Sequence, residues 1–167
     1  NRYITDEINI TVEDGFIRKI EGGLDARLMN HWLDSNRRSP DDMDGHAISH
    51  LGFGTNPHCR WDCIALNGDD VDRSNGAVRG FAGNFLFSTG PNTQGGGTRV
   101  TQGHYDLPMK DCTVYLDNDM IIDHGNYLDP QMIAEVDPRY QHWTIIHYLE
   151  TQIIDLQWEV YASNVAV

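Results

Sequence analysis

Within "QGHYDLPMK", Gln102 to Lys110, a histidine and an aspartate stand one residue apart in an otherwise apolar stretch. In a strand, successive side chains alternate between faces, so His104 and Asp106 point one way while Tyr105 and Leu107 point the other. Two such ligands can grip one metal ion if a third arrives from elsewhere. The chain holds eight histidines: His31, His46, His50, His58, His104, His124, His142 and His147. His50 is the leading third ligand. It stands where the strand-like "HAIS" gives way to the glycine-punctuated "LGFGTNP", and functional side chains gather at strand ends facing a cleft. His46, an even number of residues away, shares its face. By residue type alone, a hydrogen-bonded core histidine describes His50 equally well. Two imidazoles and one carboxylate are the donor set of the facial triad of non-haem iron(II) oxygenases, which leaves positions open for substrate and dioxygen. His-x-Asp tripeptides also arise by chance, so this reading needs support.

Other constellations offer less. "HCRWDC" (His58 to Cys63) lacks the second Cys or His pair that a structural zinc site requires. "GTRVTQGH" lacks the lysine-serine ending of a phosphate loop. Gly95 to Gly97 reads as a hinge or a place of close backbone approach. Ser88, in "STGPN", has no neighbouring histidine and acid in sequence to mark it as a nucleophile. Ser88, Thr89 and the glycine run are placed at the pocket as lining, with structural roles. His31 falls on the polar side of a helix, His124 in a turn, and His142 and His147 in an apolar tail.

The elements that must position these residues follow from pattern. Ile8, Ile10 and Val12 alternate, Asp14-Gly15 supplies a turn, and Phe16 to Ile20 returns as the second strand of a hairpin. "LDARLMNHWLDSN" has Leu24, Leu28, Trp32 and Met29, Leu33 at helical spacing, with Asp25 as a candidate cap. Asn36 to Gly45 and Asn67 to Gly76 read as exposed loops. "VRGFAGNFLFSTG" reads as a strand, and "CTVYLDNDMIID" as a second hairpin with Asp117, Asn118 and Asp119 at its tip. The expected class is α+β, a mixed or mostly antiparallel sheet with few helices. Residues 1–128 are expected to form a metal-binding catalytic domain. Residues 129–167 are expected to form a C-terminal extension packing on that domain or on a partner subunit, with "WTIIHYLETQIIDLQW" as the candidate interface.

The 167 residues carry a formal net charge of −13, are 40% hydrophobic and 22% charged, and suffice for one domain with a core. That charge repels phosphate backbones and anionic lipid surfaces, so neither nucleic acid nor membrane is an expected partner. No apolar run approaches the ~20 residues of a membrane span, and the N-terminus lacks a signal peptide's layout. Three cysteines, Cys59, Cys63 and Cys112, do not form a disulfide framework, so a cytoplasmic location is expected.

The succession "ITVEDGFIRKIEGGLDA", "ISHLGFGTNP", "GNFLFSTGPNT", "HYDLPM" and "TVYLDND" resembles the C-terminal portion of the 2,5-dihydroxypyridine 5,6-dioxygenase family. It is more distantly similar to metallo-aminopeptidases of the aminopeptidase T type. The resemblance covers Asn1 to Leu128. It implies an aminopeptidase T-like domain and an iron(II)-dependent, extradiol-type ring cleavage of a hydroxylated pyridine or similar N-heteroaromatic. The implied triad falls on His50, His104 and Asp106. The peptidase branch carries a glutamate at the position of His50 and a further metal-binding histidine in the block that here reads "GNFLFSTG", which favours the dioxygenase. The resemblance also implies residues N-terminal to this portion that complete the substrate pocket, so a homo-oligomer or a companion subunit supplying them is expected. A metal-dependent hydrolase and a non-catalytic partner subunit of the same fold are the alternatives.

Overall fold

The computed structural model describes residues 2–68 and 71–129 and the strand backbone of 160–161 and 164–166. Eleven strands and three helices follow one another as β1 (Tyr3–Ile4), β2 (Ile8–Glu13), β3 (Phe16–Gly22), α1 (Leu24–Ser35), β4 (Ile48–Gly54), α2 (Cys63–Asn67), α3 (Val71–Gly80), β5 (Asn84–Thr89), β6 (Tyr105–Lys110), β7 (Thr113–Leu116), β8 (Asp119–Asp123), β9 (Asn126–Tyr127), β10 (Val160–Tyr161) and β11 (Asn164–Ala166). Three sheets result, with strand orders β1-β11-β6-β5-β4, β10-β7-β8-β9 and β2-β3. All the described strands pair antiparallel. This is the expected α+β class. Among the described residues no helix is long and apolar enough to cross a membrane. The proposed interface segment in the tail lies outside the described residues.

Asp14 and Gly15 both take positive φ, 51° and 73°, the backbone of a two-residue turn whose twist matches its flanking strands. The β2–β3 hairpin therefore forms as its pattern predicts. Helix α1 packs on it through Ala26, Met29 and Leu33, while Leu24 and Leu28 are exposed. The helical spacing is correct, but the buried stripe lies one step round from the leucines. Asp25 does not cap the helix. It is buried and accepts hydrogen bonds from the Thr5 and Asp6 amides, with an ion pair to Arg2. These contacts outweigh the opposing effect of burial and hold its pKa well below the usual carboxylate range. The capping contact comes from Asp6, whose carboxylate accepts the Leu24 amide at 2.8 Å.

Two further expectations are corrected. Residues 71–80 are helical, not loop and strand. Asn, Asp and Gly favour turns, yet Val78 buries itself against Cys63 and Ile64 of α2, and tertiary packing of this kind overrides weak propensity. His46 does not share a strand face with His50. It closes a 3-10 turn at Asp44–His46 before the strand begins, buried beside Arg37, with its Nε2 3.2 Å from that guanidinium.

The five-stranded sheet has two unlike faces. On one, Phe53, Phe85 and Met109 stand in register, as do Leu51, Phe87 and Leu107, and these residues form the core. Tyr105 extends this face to meet Trp32 of α1 at 4.7 Å between ring centroids. The other face carries His50, Ser88 and Asp106 side by side across three strands. Every residue of β5 is buried, so both faces are covered at the sheet's centre.

Candidate functional site

The polar row is built by register. Antiparallel pairing sets His50 of β4 opposite Ser88 of β5, and Ser88 opposite Asp106 of β6. His50 thus lies inside its strand, two residues from its start, rather than at the strand's end. A bulge between Ile48 and His50 inserts Ser49 as an extra residue, and bulges of this kind re-aim side chains beside functional sites. His104 sits just before β6 and swings to the same side as Asp106, as strand parity predicts. Its Nε2 is 3.1 Å from Asp106 Oδ1, and His50 Nε2 is 3.8 Å from the same oxygen. The two imidazoles lie 5.7 Å apart between centroids, 29° from parallel. The three residues singled out in the sequence are therefore brought together around one carboxylate oxygen.

Each imidazole is oriented through its other nitrogen. His104 Nδ1 donates to the Thr89 carbonyl at 3.0 Å. His50 Nδ1 lies 3.3 Å from Ser49 Oγ, whose own hydrogen goes to the Pro91 carbonyl. Both Nε2 atoms face Asp106, and His104 donates from Nε2 to its Oδ1; a backbone or hydroxyl partner on the other nitrogen is the kind of contact that orients a ligating histidine.

Ser88 and Arg79 join the cluster; sequence reasoning placed Ser88 at the pocket only as lining and missed Arg79. Ser88 Oγ donates to Asp106 Oδ1 and lies 2.9 Å from His50 Nε2, so a histidine and an acid do surround this serine. They do not form a nucleophilic triad: the acid meets the hydroxyl instead of His50 Nδ1, and the hydroxyl is fully buried. Arg79, at the C-terminal end of α3, donates from Nη1 to Asp106 Oδ2 at 2.8 Å. The sequence signal for Ser88 was its parity with the other two polar residues once three strands are aligned. Arg79 had none, because its segment read as strand.

Electrostatics sharpen the picture. Burial works to raise the pKa of Asp106, but hydrogen bonds from His104 and Ser88 and the charges of His104 and Arg79 outweigh it, leaving the carboxylate firmly ionised. The Asp106 hydrogen bond raises the pKa of His104, whereas burial lowers that of His50.

Donors roughly 2.0–2.2 Å from one ion, at right angles to each other, stand about 3 Å apart. The His104–Asp106 separation meets this and the His50–Asp106 separation exceeds it, with Ser88 Oγ between. Among the described residues no group of three His, Cys, Asp or Glu side chains could hold a metal ion as it stands. Two imidazoles and one carboxylate are a donor set suited to a divalent ion.

The sequence pattern of the 2,5-dihydroxypyridine 5,6-dioxygenase family matches residues 1–129. The chain belongs to that family. A 2,5-dihydroxypyridine 5,6-dioxygenase of Pseudomonas putida strain KT2440 is 36% identical over 132 residues, which is 77% of this chain and 35% of the relative. The solved structure of 2,5-dihydroxypyridine dioxygenase from Pseudomonas putida KT2440 superposes with a TM-score of 0.65 at 36% identity, over the same shares of each chain. The chain thus spans about a third of the length of the family members it matches, and the polar row lies inside the matched region. The other histidine-bearing motif falls elsewhere: Cys59 and Trp61 of "HCRWDC" line a cleft with Phe81 and Lys110, at the far end of β6 from Asp106.

Proposed function

We propose that this chain provides the metal-binding part of a ring-cleaving dioxygenase acting on a hydroxylated pyridine or similar N-heteroaromatic, with iron(II) held by His50 Nε2, His104 Nε2 and Asp106 Oδ1. The observation that carries the reading is the convergence of two imidazole Nε2 atoms on one carboxylate oxygen, 3.1 Å and 3.8 Å away. Family membership supplies the reaction class. An iron(II) ion so held supplies adjacent open positions for an electron-rich ring and dioxygen, both of whose oxygen atoms enter the ring-opened product.

The chain's own residues do the rest. Thr89 O and Ser49 Oγ keep both imidazoles in the ligating tautomer. Ser88 Oγ donates to Asp106 Oδ1, which helps hold that carboxylate ionised. Arg99 Nη1 ties the Ile48 and Gly90 carbonyls together, fixing the entry to β4 against the end of β5. His104 has 37% of its side chain exposed, so the donor face is open to an incoming ring, and the wall over it is expected from a second copy or a companion polypeptide. The shared aminopeptidase T-like architecture belongs to the same proposal.

Protein prepared without oxygen is expected to hold about one iron(II) per chain, the capacity of one facial triad. His104→Ala and Asp106→Ala each lose most of it. Iron content unchanged in both variants removes the site. Zinc or cobalt in place of iron would instead favour a hydrolase.

A further inference from the structure

Asp106 uses its two oxygens differently. Oδ1 faces Ser88, His50 and His104, whereas Oδ2 is held by Arg79 Nη1 at 2.8 Å. We propose that Arg79 is a positioning residue that holds Asp106 by its outer oxygen, so that the carboxylate offers one oxygen to the ion and leaves a coordination position open that it would otherwise occupy itself. The inference rests on the metal-site reading above.

The geometry is well supported. Arg79 lies at the end of α3, and the α3–β5 connection is locked: Asn84, fully buried, donates from Nδ2 to the Arg79 carbonyl at 2.6 Å and accepts the Met109 amide at 2.9 Å. One asparagine therefore ties the backbone of Arg79 to β6, the strand that carries Asp106. A carboxylate can bind a cation through one oxygen or both. An aspartate whose second oxygen already accepts a charge-assisted hydrogen bond from a guanidinium has that oxygen turned away from the ion. For a centre that must take up both a ring and dioxygen, each protein oxygen withheld is a site kept for a substrate.

The test uses Mn(II) as a probe of the whole chain, counting exchangeable water ligands by water-proton relaxation beside a binding titration. The parent protein and Arg79→Lys, which keeps a cationic donor within reach of Oδ2, are expected to bind one Mn(II) with the same number of exchangeable waters. Arg79→Met still binds one ion but shows one water fewer, because Asp106 chelates with both oxygens. Arg79→Gln, whose shorter amide stops short of Oδ2, carries the same comparison if the methionine variant does not fold by circular dichroism. An unchanged water count in a folded, loaded Arg79→Met or Arg79→Gln protein overturns the role of Arg79 alone. Mn(II) binding that survives His104→Ala undiminished overturns the metal site itself, and this inference with it.

Discussion

At the scale of single residues, His50 separates the candidate chemistries. His50→Glu keeps a metal ligand but turns a two-histidine, one-carboxylate set into one with two carboxylates. The added negative charge favours harder and more oxidised ions and leaves less room for an anionic substrate. Divalent-metal binding is expected to persist in this variant while oxygen-dependent ring cleavage falls by tenfold or more, read as oxygen uptake and loss of the substrate's ultraviolet absorbance. His50→Ala should weaken both. Oxygen consumption by His50→Glu at the parent rate would make His50 an ordinary core histidine. The grouping of His104 and Asp106 was legible in the sequence because residue type and strand parity are local properties: they announce a shared face without any knowledge of the fold. Arg79 was not, and Ser88 was legible only as pocket lining. Ser88 enters the cluster through the register of β4, β5 and β6, and Arg79 through the place where a helix ends, and neither is written in neighbouring residues.

Among the elements, the hairpins were readable because Asp14-Gly15 and Asp117-Asn118 carry the turn chemistry that joins their strands; Asp14, Gly15 and Asp117 all take positive φ. Helix α3 was not readable, since "DDVDRSNG" has turn composition and becomes helical only by burying Val78 on α2. The element that joins them to the site is the α3–β5 junction, and Asn84 is its lock. Asn84→Ala leaves the Arg79 carbonyl and the Met109 amide without their described partner in a buried place. Each orphaned group costs about 1–3 kcal/mol, so a loss of roughly 2–6 kcal/mol in denaturant-derived stability is expected. A change below about 0.5 kcal/mol, the scale of an ordinary surface substitution, would mean that the junction is held by other contacts. Pro108 shows the same economy of design. The Met109 amide turns toward Asn84 on the β5 side, so the nitrogen of Pro108 turns the other way. There the described pairing with β11 begins only at Met109, and the missing hydrogen is not needed.

For the molecule as a whole, the exposure of His104, 37% of its side chain, leads to an expectation about assembly. Preparations active in ring cleavage should sediment as a species larger than one chain, whether a homo-oligomer or a complex with a companion polypeptide. A compact monomer with full activity would sink this. The strand order has a consequence in time. β11, residues 164–166, sits between β1 and β6, so the strand bearing Asp106 keeps an open edge until residues 164–166 have been synthesised and have folded back. Pairings of such long sequence separation are slow to form, and an unpaired edge invites the wrong neighbour. The central sheet therefore closes only after translation has passed residue 166, and chaperone demand should concentrate in the interval before it does.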